Sequence, residues 1–349
     1  MIIKHSLLQF NTLGLNVYCD QLIQVGDDET LIHACLEAFK SKQPLLLIGG
    51  GSNLVLTADF VGRAVVIETK GIEVTHDESH YLLSVAAGEN WHGLVEYCLK
   101  HNMHGLENLA LIPGCVGAAP IQNIGAYGAE LAQFCEWVEY LDLESGEIKT
   151  LNNDECAFGY RESIFKGELK DKAVILRVGL RLAKAWQPNL TYGPLQQLSE
   201  DNTSKDNKEV TPQAVFDCIC ATRAEKLPDP QILGNVGSFF KNPVISEKAF
   251  KGLQATYEDI VGYRLADSQV KLAAAWLIDK AGLKGTHVGA ASVHLKQALV
   301  IVNNGGCSGD DVCRLARLVI DKVYRQFGVS LEVEPRIIGA DAQKDIQDA

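Results

Sequence analysis

One stretch of seventeen residues constrains this chain more than any other: Ile112-Pro-Gly-Cys-Val-Gly-Ala-Ala-Pro-Ile-Gln-Asn-Ile-Gly-Ala-Tyr-Gly128, with four glycines, two prolines and three alanines. Glycine and proline interrupt helices and strands, so neither element fits it. It is also too apolar for a solvated loop, and its backbone N–H and C=O groups must find partners inside the protein. A bound polar ligand would satisfy them; a buried Ω-loop that satisfies itself is the alternative.

A second glycine cluster lies upstream. The apolar run Leu45-Leu-Leu-Ile48 enters Gly49-Gly-Gly-Ser-Asn53 and continues as Leu54-Val-Leu56. Successive N–H groups in such a turn can converge on a phosphate without a cationic side chain, while a tight strand-to-strand turn is the plainer reading. It is not a dinucleotide fingerprint, because Leu54 stands where the last glycine belongs and no amphipathic helix follows. Nor does Gly-Lys-Ser/Thr close it as a Walker loop. Two such clusters together suggest a large phosphorylated cofactor.

The composition narrows the classes. With 349 residues, 47% of them hydrophobic, two or three domains are expected. A formal charge of −12 excludes a broad basic face for tracking nucleic acid, and means that an anionic ligand needs local help. The longest apolar runs, such as 272–278, are too short for a bilayer, and the N-terminal residues lack a signal-peptide pattern, so a cytoplasmic protein without a membrane partner is expected. Ten cysteines without a Cys-x-x-Cys pair read as buried, reduced thiols. His76 with His80 and His101 with His104 lack a third ligand at metal spacing, so no metal is expected.

Apolar β-type runs at 45–48, 64–67, 82–86, 137–141 and 174–182 alternate irregularly with helical patterns near 30–39 and 90–100, which predicts a packed α+β arrangement. The polar run 199–210 reads as an exposed connection. Beyond it, Thr211-Pro212 opens a helix that Leu227-Pro-Asp-Pro230 ends. A helix is predicted over about 269–281, stopping at Gly282, and another after Ser308, with Asp311 three residues on, running to Gly328. Residues 341–349 read as a loose tail.

These motifs carry a resemblance. Asn11-Thr-Leu-Gly14, Gly49 to Asn53, Gly88-Glu-Asn-Trp91, Gly105-Leu-Glu-Asn-Leu109, 112–128, Phe158-Gly-Tyr-Arg-Glu-Ser163, Gly234-Asn-Val-Gly-Ser-Phe-Phe-Lys-Asn-Pro243 and Glu334-Pro-Arg-Ile-Ile-Gly339 occur in order over nearly the whole chain. The sequence resembles the UDP-N-acetylenolpyruvoylglucosamine reductases and, more broadly, flavoproteins of the vanillyl-alcohol-oxidase type. The resemblance implies an α+β fold: a two-part FAD-binding domain over 1–198, with lobes dividing near 70, and a C-terminal α+β substrate-binding domain over 211–340. It implies non-covalent FAD, NADPH as co-substrate, UDP-N-acetylglucosamine enolpyruvate as substrate, and a monomer.

The resemblance also assigns residues. Arg161 matches the arginine that binds the enolpyruvyl carboxylate, Ser238 the proton donor to the enolate, and Glu334 the acidic partner. A serine hydroxyl is a weak acid and needs a basic enolate and a supporting group. Glu332, Glu334 and Arg336 lie at period two and would share a strand face; Glu334 is chosen because it stands two residues before Arg336-Ile-Ile-Gly339. For FAD the carry-over is Gly49, Gly50, Gly51, Ser52, Asn53, Pro113, Gly114, Gly117, Ala118, Ala119, Gly125, Tyr127, Ile175, Arg223 and Arg336. Ala118 and Ala119 stand where some relatives carry hydroxyls, which leaves phosphate binding there to backbone N–H groups. For the substrate it is Tyr127, Arg161, Tyr192, Lys226, Ser238, Asn242 and Gln297. Seven Lys/Arg against three acids between Arg161 and Lys184 suggest that part of this cationic excess faces the site.

Overall fold

The structure, a computed structural model, describes residues 3–200, 210–265 and 267–349; the polar connection expected at 199–210 falls almost wholly outside the described residues. By packing, the chain divides into two units. One comprises Asp20–Gly51 and Gly62–Glu225; the other comprises Met1–Cys19, Ser52–Val61 and Lys226–Ala349.

In the first unit the run Leu45–Ile48 is a strand parallel to residues 63–66. The helix Asp28–Lys40 packs beside it. Asp27 caps this helix by accepting from the Thr30 N–H, and Leu31, Ala34, Cys35 and Ala38 are its buried side chains. The 3.6-residue spacing of those four explains why one face is buried. A five-stranded antiparallel sheet follows, in the order Ile148–Asn152, Cys135–Asp142, Ala173–Ala183, His80–Ala86, Ile72–His76. Its central strand, Ala173–Ala183, is bonded on both sides, and most of its side chains are buried. Gly179 is required there, because a Cβ would stand 2.2 Å from the Trp137 ring.

The helix Trp91–Lys100 starts where Asn90 accepts from the Gly93 N–H at 2.8 Å. Trp91 anchors it, with its indole N–H donating to Leu109 O at 2.9 Å. The helix Pro212–Lys226 places Val215 and Ile219 in the same core. Both helices lie where the sequence places them.

In the second unit the motif Asn11-Thr-Leu-Gly14 acquires its reason. Buried Asn11 ties its own loop, donating to Leu7 O and Leu15 O. Thr12 exchanges bonds with Asn235 through Thr12 Oγ1 to Asn235 O at 2.6 Å and Asn235 N to Thr12 O at 3.0 Å. A Cβ on Gly234 would collide with Leu13 O at 2.5 Å. The strand Asn235–Ser238 is the edge of a four-stranded antiparallel sheet with Val300–Asn303, Ala291–Val293 and His287–Val288. The long helix Gly309–Phe327 is capped by Ser308 in a reciprocal box with Asp311 and closed by left-handed Gly328, as its sequence predicts.

Two expectations change. Residues 269–281 are not one helix: Gln269–Leu272 is the middle strand of a three-stranded sheet, and only Ala274–Lys280 is helical. Val270 and Leu272 are both buried at period two, and this central pairing outweighs the helical pattern. The last residues do not hang free. Gln343–Lys344 pairs with residues 337–338, Ile346 is buried, and Arg317 donates to the carbonyls of Ile346 and Ala349. Among the described residues no helix is long and apolar enough to cross a membrane.

Candidate active site

In the first unit, the glycine-rich stretch is a chain of 3₁₀ turns, Val116–Ala118 and Pro120–Gln122, packed on the five-stranded sheet. The two glycine clusters meet there. A Cβ on Gly49 would fall 2.2 Å from Cys115 Sγ, and one on Gly50 would fall 2.7 Å from Gly114 Cα. Neither backbone has room for a side chain. Gly114 has φ +112° and Gly51 φ +63°, conformations that favour glycine.

The N–H groups of Gly117, Ala118 and Ala119 donate to the carbonyls of Ala87, Cys115 and Val116 at 2.8–3.1 Å. These bonds hold the stretch in its turns. Pro113 is exposed at the rim of this stretch, and Ile175 lies buried in the central strand.

Arg161 sits in a tight turn in which Gly159 and Glu162 exchange backbone bonds at 3.0 and 3.2 Å, and it adopts φ +55°, unusual for a long side chain. Three bonds tie the turn to the glycine-rich stretch. Asn123 Nδ2 donates to Gly159 O at 3.0 Å, Ser163 Oγ to Ile121 O at 2.7 Å, and Arg161 Nη2 to Gly125 O at 3.0 Å. Asn123 is 1% exposed and itself left-handed, at φ +44°. It is a supporting residue that the sequence reading passes over; an asparagine inside a glycine-rich stretch is the signal, because Asn tolerates this conformation and bonds its neighbours.

Arg223, on the helix Pro212–Lys226, has a buried Nε with no hydrogen-bond partner among the described residues. Burial pushes its pKa down; Tyr127 and Cys220 oppose this, and the nearby Arg161 charge adds to it. Burial raises the Tyr127 hydroxyl, against the pull of Arg223. His92, another residue not singled out by the sequence, stacks on Phe216 with centroids 5.6 Å apart and accepts from the Leu111 N–H. Burial lowers its pKa; Glu96 opposes this and Arg223 reinforces it. Two guanidiniums and a phenol brought together with an unsatisfied donor form a place for an anion. Tyr192 reaches this group through an edge-to-face contact with Tyr127 at 5.4 Å. The glycine cradle and the orphaned Arg223 donor both fit a phosphorylated cofactor.

The cationic excess at 161–184 is mostly engaged elsewhere. Lys172 pairs with Glu144, Arg177 with Asp28 and Glu73, and Arg181 with Glu136. Lys166 donates to the Arg161 carbonyl at 2.9 Å. Lys172, Arg177 and Arg181 thus belong to ion pairs, because each finds a carboxylate on a neighbouring strand or element.

In the second unit, Ser238 ends its strand at an irregularity. The register with Val300–Asn303 shifts between Asn235 and Ser238, and Gly237 between them has φ +69°. Asn235 Oδ1 accepts from the Gly237 N–H at 2.9 Å and fixes the bulge. A bulge of this kind re-aims the following side chain. The segment bearing Glu334 runs alongside: Glu334 N–H donates to Phe239 O and Lys241 N–H to Glu332 O, both at 2.9 Å. Glu332 turns to the surface and pairs with Lys241 Nζ at 2.9 Å. Asn53 belongs to the same group, since its Nδ2 donates to Glu334 O at 3.4 Å and its carbonyl accepts from the Arg336 N–H at 2.9 Å.

Ser238, Glu334, Asn53 and Arg336 are thus brought together; Ser52 precedes them on the chain. Asn242 Oδ1 accepts from the Ala274 N–H and caps the helix Ala274–Lys280. Gln297 lies in the turn before Val300, and Lys226 is the exposed last residue of its helix.

Comparisons with known proteins complete the picture. Residues 229–338 match the model of the UDP-N-acetylenolpyruvoylglucosamine reductase C-terminal domain, and 19–152 match that of an FAD binding domain. The UDP-N-acetylenolpyruvoylglucosamine reductase of Shewanella oneidensis is 56% identical over 346 residues, 99% of each chain. The chain belongs to this reductase family. The Vibrio cholerae member is 48% identical over 342 residues, 98% of this chain and 96% of that one. Among solved structures, the UDP-N-acetylenolpyruvylglucosamine reductase of Thermus caldophilus aligns over 97% of this chain and 98% of its own, with a TM-score of 0.63 at 24% identity. A solvent-stable cholesterol oxidase aligns over 95% of this chain and 87% of its own, with a TM-score of 0.50 at 11% identity. These two show the fold alone; the family models give its parts, an FAD binding domain and the reductase C-terminal domain.

Proposed function

We propose that this chain reduces UDP-N-acetylglucosamine enolpyruvate to UDP-N-acetylmuramate, with NADPH as hydride donor and non-covalent FAD, as a step of peptidoglycan precursor synthesis in the cytoplasm. The observation that carries the reading is 56% identity over 99% of both chains to a reductase of that name.

The residues that would hold FAD are the glycines of the two clusters, Ser52, Asn53, Tyr127, Ile175, Arg223 and Arg336. Held there, FAD would supply the hydride relay between NADPH and the terminal methylene carbon of the enolpyruvyl group. The chain's own residues do the rest. Arg161, planar and permanently charged, holds the carboxylate and stabilises the enolate charge that develops on it. Ser238 Oγ–H gives its proton to the carbon bearing the ether oxygen, so that hydride and proton together saturate the double bond. Glu334 stabilises the intermediate or helps to protonate it. Tyr127, Tyr192, Lys226, Asn242 and Gln297 bind the nucleotide sugar.

The reading is tested by two measurements on purified protein. The protein should be yellow, releasing flavin on denaturation, and NADPH oxidation should require the enolpyruvyl substrate. A protein that cannot be loaded with FAD, or that oxidises NADPH at the same rate without substrate, sinks the reading.

A further inference from the structure

Asn108 lies in the turn Glu107–Leu109 and is 3% exposed. The Gly105-Leu-Glu-Asn-Leu109 motif that contains it has no part in the chemistry above. The two protons of its Nδ2 go to carbonyls of two separate segments, Tyr127 O at 2.8 Å and Asn189 O at 2.9 Å. Asn189 completes the tie. Its Nδ2 donates to Gly128 O at 2.9 Å, and its Oδ1 accepts from Thr191 N and Oγ1 at 3.3 and 2.8 Å. A Cβ on Gly128, which has φ +81°, would stand 3.0 Å from Thr191 Oγ1, so the segments lie directly against each other. The two aromatic rings in edge-to-face contact, Tyr127 and Tyr192, are carried by the two segments that Asn108 joins.

We infer that Asn108 is a positioning residue that fixes the Tyr127 turn against the Tyr192 arm through its two amide protons, and thereby sets the affinity for the nucleotide sugar. The inference rests on the reading of Tyr127 and Tyr192 as substrate contacts. An amide is suited to the task because one nitrogen presents two donors at a fixed angle, and a carboxylate or an aliphatic side chain of similar size presents none. Beside it lies a cavity of about 230 Å³, lined by His104, Glu107, Asn108, Trp186 and Asn189 among others. Water entering it can reach the Asn189 carbonyl freed by substitution, which lessens the cost of losing that bond.

The test compares KM for UDP-N-acetylglucosamine enolpyruvate in FAD-loaded wild type, Asn108→Ala, Tyr192→Ala and the double variant, with flavin content and melting temperature measured alongside. Asn108→Ala should raise KM about tenfold, with kcat within about threefold of wild type and flavin content unchanged. The double variant should be no worse than Tyr192→Ala alone, because residues acting through one another are not additive. Additive effects on KM, or loss of flavin or kcat without a change in KM, overturn the inference. If Tyr192→Ala itself leaves KM unchanged, the substrate reading of Tyr192 fails and takes the inference with it. If only Asn108→Ala leaves KM unchanged, the inference alone fails. Should Asn108→Ala not fold, Asn189→Ala cuts the same tie at its Gly128 end and carries the same comparison.

Discussion

Gly237 shows how much of the site depends on single backbone conformations. Its φ of +69° lies in the left-handed region, and no atom within 4 Å would obstruct a Cβ, so Gly237→Ala is a pure test of conformation. Strain of about 1–2 kcal/mol is expected, relieved by flattening the bulge and turning Ser238 away. Turnover should fall at least about tenfold while the melting temperature drops only a few degrees; unchanged turnover would show that the bulge does not aim Ser238. Arg161→Lys keeps the charge but loses the planar fork and the bond to Gly125 O. A fall of about 10²-fold or more in kcat/KM is expected, and near-wild-type kinetics would mean that Arg161 does not hold the carboxylate. At this scale the motifs mark where Asn108 and Asn123 lie but not what they do, because their value lies in which distant carbonyls they reach.

Among elements, the packed glycine clusters make the sharpest prediction. A Cβ at Gly50 meets backbone at Gly114 and not a flexible side chain, so Gly50→Ala must push the two segments apart. Purified Gly50→Ala should retain less flavin than wild type, read from the absorbance ratio of flavin to protein; full retention would contradict the cradle. The hairpin of Cys135–Asp142 and Ile148–Asn152 carries a pH-dependent tie. The hydrogen bond from Lys149 holds Asp142 at about 2, below the usual carboxylate range. A depressed pKa contributes stability that is present above the usual carboxylate value and is lost as pH falls toward 2. Asp142→Asn should therefore melt lower than wild type at pH 7 and converge with it near pH 2; an equal difference at both pH values would contradict the assignment.

The helices Pro212–Lys226 and Gly309–Phe327 are legible because caps, proline and glycine mark their ends in local sequence. Residues 269–281 are less so, since an apolar run reads equally well as strand or helix until its pairing partners are known.

For the molecule as a whole, sequence order conceals which distant segments pack together. Thr12 is bonded to Asn235 and Leu13 lies against Gly234, more than two hundred residues along the chain, and no local pattern announces such a contact. The net charge of −12 is likewise a surface property. Because Lys172 and Arg181 form surface pairs, neutralising both should leave KM for substrate within about twofold, whereas Arg223→Ala should lose flavin or substrate affinity. A large KM effect from the surface pair would restore a role for long-range attraction.

The most direct test of the central claim separates the two half-reactions in Ser238→Ala by stopped-flow absorbance of the flavin. NADPH should reduce the flavin at close to the wild-type rate, and reoxidation by the enolpyruvyl substrate should slow by about 10²–10⁴-fold. Reoxidation at the wild-type rate, or loss of reduction by NADPH, would contradict the assignment of Ser238 as the proton donor.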